Sequence, residues 1–183
     1  MKRRAGTILI IAGTALIIGA LFLLLNNNLD DRHAADSAAQ ILSAVETADG
    51  QTESGGEHPQ DYAGKLDIPA LGLELPVLSD WSYKKMKTAP CLYSGSIEEE
   101  NLVIMGHNYK SHFGSLASLS EGDEVYFTDA GGTVFKYRVE AVEVLAADAD
   151  EDMTDGTFPL TLFTCTWDGK SRVTVRCQPV YRD

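Results

Sequence analysis

The chain has 183 residues, of which 44% are hydrophobic, which allows one globular domain with a packed core plus additional segments. Its formal net charge is −12, which argues against nucleic-acid binding because a phosphate backbone is bound by surfaces rich in Lys and Arg. An odd number of cysteines, Cys91, Cys165 and Cys177, leaves at least one thiol unpaired. Cys91 and Cys177 could pair in an oxidising exterior, but the sequence does not fix their distance.

The N-terminal segment predicts a membrane anchor. Basic residues 2–4 precede the run 7–25, which is largely apolar and carries no charge. About 20 apolar residues suffice to cross a bilayer, whereas the apolar stretch of a cleaved signal peptide is only about 7–15 residues long. We therefore expect a cytoplasmic tail over 1–6, a retained signal anchor over 7–25 and an extracytoplasmic remainder, because basic flanks stay inside the cell.

The next segment is polar. Residues 26–61 have no aromatic side chain and predict an extracytoplasmic stalk. Within it, Asp30–Val45 has the spacing of a helix, while Glu46–Gln60 is too polar to stay folded and predicts a flexible linker. The folded domain is then expected over residues 62–183.

From Tyr62 onward the apolar pattern favours strands. Short β-branched or alternating runs are separated by turn signals such as Asp168-Gly169, which is typical of a β-barrel or sandwich. The best candidate for a short helix is Phe113–Leu119, and the acidic stretch Asp148–Asp155 is interpreted as a solvated loop. The predicted strands are Gly64–Ile68, Leu71–Val77, Asn101–Gly106, Glu124–Thr128, Thr133–Leu145, Leu160–Cys165 and Arg172–Val180.

Three residues form the candidate catalytic site. A strand ends at Cys165, a turn follows, and Arg172 opens the next strand, so the two should be neighbours at one rim of the sheet. A cation beside a thiol favours the nucleophilic thiolate, and a guanidinium can donate to an oxyanion. His107 follows a buried apolar strand at the start of a polar loop, where it could face a cleft. His112, five residues on, is expected to be exposed with a capping role.

These segments resemble the sortase family. LTLFTC, ending at Cys165, followed by a strand that opens with arginine, is similar to the family's TLxTC signature. NLVIMGHN resembles its histidine strand, and DIPALGLELPV and LYSGS resemble its opening segments, in the same order. The resemblance implies Cys165 as nucleophile, His107 as acid and base, and Arg172 as oxyanion donor. Arg176 is a rival to Arg172 because it shares its strand parity.

The resemblance also implies a fold and an activity. The fold would be all-β, an eight-stranded sortase-type β-barrel with short helices behind the N-terminal transmembrane helix. The activity would be that of a cysteine transpeptidase of Gram-positive bacteria, without cofactor or metal. It would cut a C-terminal sorting motif of secreted proteins and pass the acyl group to an amine of a cell-wall precursor or pilin. Class B-like and class D-like features leave the subclass unassigned.

Three alternatives remain open from the residues. The first is a thiol hydrolase or protease that releases its acyl group to water, although no cysteine opens a helix as in papain-like enzymes. The second is a membrane-anchored barrel that binds partners without catalysis. The third is a Cys/His metal site, although no C-x-x-C pair is present.

Overall fold

The computed structural model describes residues 2–50 and 61–181. The N-terminal part is one helix, α1 (Lys2–Gly50), followed by eight strands that form a closed barrel. The strands are β1 (Tyr62–Ile68), β2 (Leu73–Leu78), β3 (Cys91–Ser94), β4 (Leu102–Met105), β5 (Glu124–Asp129), β6 (Val134–Ala146), β7 (Leu160–Cys165) and β8 (Ser171–Pro179). Two short helices complete the fold, α2 (Tyr83–Met86) and α3 (Asp150–Thr154). The predicted all-β barrel is confirmed.

The order of strands around the barrel is β1-β2-β3-β4-β7-β8-β6-β5, and pairing of β1 with β5 closes it. Two junctions are parallel, β2 with β3 and β4 with β7, and the others are antiparallel. The β2–β3 junction is a single residue pair, Leu78 with Cys91. In contrast, β6 and β8 pair over nine positions. Because β4 and β7 run in the same direction, their C-terminal ends emerge at the same end of the barrel.

The core follows the alternation of each strand. Every second residue of β7 faces the barrel interior, where Leu160 and Leu162 pack in the main cluster. Phe163, which has the opposite parity in β7, faces outward into a smaller cluster under α2 and α3, together with Val103 and Met105 of the paired strand. The largest fully buried residues of the interior are Phe113, Phe127, Leu66, Ile68, Leu102, Ile104, Leu116, Leu160 and Leu162.

The N-terminal helix differs from the sequence prediction. The expected polar helix Asp30–Val45 is part of a continuous helix with the apolar run, and the predicted linker is helical over residues 46–50. Residues 51–60 of that linker, which include His58, lie outside the described residues. Ala34 and Ala38 on α1 are buried against the barrel, so this part of the stalk is packed on the domain and is not a free tether.

Two local predictions in the domain have different outcomes. The short helix expected in Phe113–Leu119 is present as a turn followed by a 3-10 helix over Leu116–Ser118. The acidic stretch Asp148–Asp155 is not a bare loop, because it contains α3, whose Met153 is buried in the outer cluster. The connection between β6 and β7 holds no longer helix than this one.

Candidate active site

The hairpin of β7 and β8 sets Cys165 opposite Arg172. The two residues are direct partners in the antiparallel register, which places their Cα atoms roughly 5 Å apart and their side chains on the same face. The hairpin is closed by the Thr166 amide, which donates to the Ser171 carbonyl at 2.9 Å. Gly169 provides the left-handed residue of the turn, at φ +71°. The predicted neighbourhood of Cys165 and Arg172 is therefore present in the backbone.

Strand β4 brings His107 to the same rim. The parallel register of β4 and β7 ends at the pair Met105 and Phe163, and the Gly106 amide donates to the Phe163 carbonyl at 3.1 Å. Along the sequence, His107 lies two residues after Met105, and Cys165 lies two residues after Phe163. All three predicted site residues thus emerge at one end of the barrel, with the Cys165 side chain exposed and the other two half-buried.

The imidazole of His107 lies in a partly dry setting. Its ring stacks on Tyr109, with centroids 3.9 Å apart and planes inclined by 17°. Its Nδ1 is buried and has no hydrogen-bond partner of standard geometry among residues 2–50 and 61–181. Burial, and then the nearby Lys87 charge, lower the pKa of His107, while Asn108 and Asp30 act in the opposite direction. The neutral imidazole is therefore the favoured form at neutral pH.

The loop after His107 is tightly folded. The Phe113 amide donates to the His107 carbonyl at 3.1 Å, and the Gly114 amide donates to the Tyr109 carbonyl at 2.8 Å. A Cβ on Gly106 would lie 2.6 Å from the Phe113 ring, which is far inside van der Waals contact. A glycine before the histidine is therefore required for the aromatic ring to pack under this loop.

His112 was predicted to be exposed, and that prediction was wrong. Its side chain is 0% exposed and lies under α1 beside Ala34. Neither ring nitrogen has a hydrogen bond of standard geometry within the described chain, so the expected capping role is not observed. Burial lowers the pKa of His112 to about 4, against smaller opposing effects from the Ala34 backbone and Asp31. His112 is a neutral core residue.

Arg172 and Arg176 have different environments. The Arg172 Nη1 donates to the carbonyls of Gly169 and Ser171 at 3.4 and 3.2 Å, so the half-buried guanidinium rests on the turn beside Cys165. Arg176 is only 4% exposed, and its partners are the Glu143 carboxylate, the carbonyls of 152 and 153 on α3, and the Thr161 hydroxyl. The rival arginine is therefore a structural residue of the outer face.

An aromatic group that sequence reasoning missed lies on the outer face of the barrel. Tyr93 packs edge-on against Phe163 at 5.1 Å, and Trp81 packs on Tyr93 at 5.7 Å. The Tyr93 hydroxyl donates to the Asp150 carboxylate at 3.3 Å. The signal available in the sequence was parity, because Phe163 shares the strand face of Cys165.

The other two cysteines are internal. Cys91 and Cys177 are both buried free thiols, so the disulfide that the sequence left open is not formed. Burial raises the pKa of Cys91 to about 11 and that of Cys177 to about 12. Within residues 2–50 and 61–181 no group of three or more His, Cys, Asp or Glu side chains could hold a metal ion.

The closed barrel, with an exposed thiol at the rim and a histidine strand beside it, has counterparts among known proteins. Residues 66–180, more than half of the chain, match the Sortase domain family, and the chain belongs to that family. A curated relative, sortase A of Bacillus anthracis, is 31% identical over 108 residues, which are 56% of this chain and 51% of the relative. The chain thus spans about half the length of the curated relative it matches.

Solved sortase structures share the fold. A Clostridium perfringens sortase D5 transpeptidase aligns with a TM-score of 0.62 at 17% identity, over 82% of this chain and 99% of the other. Sortase C of Clostridium perfringens, solved with the C-terminal cell wall sorting motif, aligns with a TM-score of 0.59 at 19% identity, over 81% and 90% of the two chains.

Proposed function

We propose that this sortase-family protein is a cysteine transpeptidase in which Cys165 is the nucleophile, His107 the acid and base, and Arg172 the oxyanion donor. The observation that supports this most is the register of the rim. Cys165 is paired directly with Arg172, and the strand that leads to His107 runs parallel to the cysteine strand. A thiol, an imidazole and a guanidinium are the groups that acyl transfer through a thioester needs.

The lowered pKa of His107 sets the direction of proton transfer. A neutral imidazole can accept the thiol proton as the Cys165 sulfur attacks the carbonyl carbon of the cleaved bond. The imidazolium then gives that proton to the leaving amine, and the acyl group stays on sulfur as a thioester. In the second half, the incoming amine attacks the thioester carbon and gives its proton to His107, the C–S bond breaks as the new amide forms, and His107 passes the proton to the Cys165 sulfur to regenerate the thiol. Protons and bonds balance without a cofactor.

Arg172 is proposed to hold the carbonyl oxygen during both halves. Its guanidinium already lies on the turn next to Cys165, and among residues 2–50 and 61–181 its hydrogen bonds are to turn carbonyls, at 3.2 and 3.4 Å. These are long bonds for a charged donor, so a developing oxyanion would compete well for them. Removing one oxyanion donor from such a site typically lowers kcat by about 10²–10³.

The substrates and placement follow from the family and from α1. The region Ile10–Thr47 contains an exposed window of mean hydropathy 2.0 and is a candidate membrane span. We propose that residues 7–25 cross the cell membrane once, with residues 1–6 cytoplasmic and the catalytic domain, residues 62–183, outside. The acyl donor would be a secreted protein with a C-terminal sorting motif, and the acceptor an amine of a cell-wall precursor or a pilin lysine.

The test is a transpeptidation assay with the full chain in detergent. Sorting-motif peptides are incubated with and without triglycine, and products are resolved by mass spectrometry, with Cys165→Ala as the control. Ligated peptide and a thioester on Cys165 are the expected results. Hydrolysis that triglycine does not divert would indicate a thiol hydrolase, and no cleavage across a broad peptide library would indicate a binding module.

The role of Arg172 has a separate test. Alkylation of Cys165 by iodoacetamide should depend on pH and should be slower in Arg172→Ala, because a nearby cation favours the thiolate. Equal alkylation rates in both proteins would contradict an electrostatic effect of Arg172 on the Cys165 thiol. Lys170→Ala, which removes a charge from the exposed turn of the same hairpin, is the matched control.

A further inference from the structure

Helix α1 connects the apolar run directly to the catalytic rim. The helix is continuous from Lys2 to Gly50, so the end of the apolar run at Leu25 and the hydrogen bond to the domain at Asp31 lie on the same element. Six residues of α-helix separate them, which is about 9 Å along the axis. The domain is therefore held within a short, fixed distance of the proposed membrane span.

The contact at Asp31 is made to the loop that follows His107. The Ser111 amide donates to Asp31 Oδ1 at 2.8 Å, and the Ser111 hydroxyl lies 2.8 Å from the same oxygen. One turn further along α1, Ala34 is completely buried next to His112. Polar and apolar contacts thus join helix and loop at the same level, which fixes the rotation of the domain about α1.

A cleft at this level is shared by the apolar run and the catalytic hairpin. Leu24 and Asn27 of α1 line it together with Lys110 of the histidine loop and Trp167, which lies two residues after Cys165. The Trp167 side chain is 81% exposed, which is unusual for the largest apolar side chain. Because Leu24 lies at the end of the segment proposed to lie in hydrocarbon, a bilayer around that segment would have its boundary between hydrocarbon and headgroups beside Trp167.

This depth suits the side chains that line the cleft. The headgroup zone adds roughly 5–7 Å on each side of the hydrocarbon core, and Trp and Tyr concentrate there because their rings are amphipathic. Lys110 can direct its charge to lipid phosphates from the same position. The net charge of −12 gives the chain as a whole no affinity for an anionic surface, so contact depends on this rim.

We propose that the rim carrying Cys165 lies against the outer surface of the bilayer that residues 7–25 cross, with Trp167 seated among the lipid headgroups. The inference rests on the membrane anchoring proposed above and not on the chemistry. The active-site rim then opens at headgroup level, which favours acyl donors or amine acceptors that are themselves held in the membrane.

Tryptophan fluorescence tests the proposal, because the chain has only two tryptophans. Trp81→Phe leaves Trp167 as the reporter, and the comparison protein carries Trp81→Phe, Trp167→Phe and Val134→Trp. Val134 is the comparison position because it is exposed and pairs with Thr128, which lines a cleft with Leu42. Leu42 is 17 residues beyond Leu25, or about 25 Å further along the helix from the membrane.

The full chain is reconstituted into phosphatidylcholine vesicles that contain phospholipid brominated near the carbonyl end of its acyl chains. The expected result is a blue-shifted Trp167 emission that bromine quenches several-fold more than the emission of the tryptophan introduced by Val134→Trp. Equal quenching of the two, with Trp167 fully open to aqueous acrylamide, would overturn the proposal. A Trp167 emission that shifts only on addition of a dissolved sorting-motif peptide would make the cleft a peptide site and would also overturn it.

Two further variants separate this proposal from the catalytic one. Asp31→Ala with Ser111→Ala should reduce the quenching of Trp167, because it loosens the contact that fixes the domain on α1. Cys165→Ala should leave the quenching intact, since membrane contact does not need the thiol. In the chain that keeps Cys165, Asp31 and Ser111, absent transpeptidation with strong Trp167 quenching would contradict only the proposed function, and transpeptidation without that quenching would contradict only the membrane-facing rim.

Discussion

The two arginines of β8 offer the sharpest test of the proposed site. Arg172→Ala should strongly lower kcat with little effect on folding, whereas Arg176→Met should destabilise the domain. The contrast comes from their partners. In the part of the chain that the structure describes, Arg172 bonds only to carbonyls of its turn, while Arg176 is 4% exposed and bonds to four groups on three different elements.

The magnitude for Arg176 can be worked from its contacts. Its bonds to the carbonyls of 152 and 153 and to the Thr161 hydroxyl come from a charged donor, and leaving a buried acceptor unsatisfied costs about 1–3 kcal/mol. The ion pair with Glu143 adds little, about 1 kcal/mol at most, because that carboxylate side chain is 40% exposed. After allowing for the arginine desolvation that methionine avoids, we expect a loss of about 3 kcal/mol.

That loss should lower the melting temperature by about 10 °C, since 1 kcal/mol corresponds to roughly 2–8 °C in domains of this size range. Arg172→Ala should change it by only a few degrees, and its kcat should fall by about 10²–10³. Melting is followed by near-ultraviolet circular dichroism of the full chain in detergent, and turnover is corrected for the folded fraction. Arg176→Lys controls for charge without the planar donor array.

The opposite pattern would refute this reasoning. If Arg176→Met melted like the wild type but had lost turnover, and Arg172→Ala had kept it, the oxyanion role would belong to Arg176. Loss of stability in both variants would mean that Arg172 also supports the fold through contacts with its turn.

Three further outcomes are expected. A thiol reagent should modify Cys165 alone in the native chain and all three cysteines after denaturation, because burial raises the pKa of Cys91 and Cys177 to about 11 and about 12; native reaction of a second thiol would contradict the buried positions. The pKa of His112 is about 6.5 in the unfolded state and about 4 in the folded state, so between these values only the unfolded state binds the proton. Stability should therefore fall by about 3 kcal/mol as pH decreases through that window, and His112→Leu should remove this part of the pH dependence of the melting temperature. Gly106→Ala should lower the free energy of unfolding by about 1–3 kcal/mol and lower turnover, because the new methyl group displaces the loop. Thermal melting and peptide ligation measure the two effects. Wild-type values in both would show that the Phe113 ring can move aside.

The rim was predictable from the sequence because it depends on local connectivity. Cys165 ends one strand, Gly169 lies in the turn, and Arg172 begins the next strand. This connection favours one hairpin register, in which Cys165 and Arg172 are paired. The apolar run before His107 indicated a strand buried on both faces, and such a strand ends at the barrel rim. The expectation that His107 acts together with Cys165 came from the family resemblance, and the pairing of β4 with β7 was not predicted.

The remaining features depend on contacts between distant parts of the chain. His112 is polar and follows a loop, so nothing in its neighbourhood indicated burial, which arises because α1 covers it. The burial of Arg176 likewise depends on α3 and β6 meeting over β8. The spacing of apolar residues did predict a helix over Asp30–Val45, but not that Ala38 on its apolar face would pack in the barrel core.

The single residue pair between β2 and β3 has a consequence for how the barrel opens. Each other junction is held by at least three register pairs, while this one has only Leu78 opposite Cys91, with the Leu78 amide bonded to the Pro90 carbonyl at 2.9 Å. Native-state hydrogen exchange should find its earliest subglobal opening along this seam and its slowest amides between β6 and β8. Opening of the barrel at this junction would expose the thiol of Cys91 first, so reaction of this buried cysteine with a thiol reagent would detect the opening.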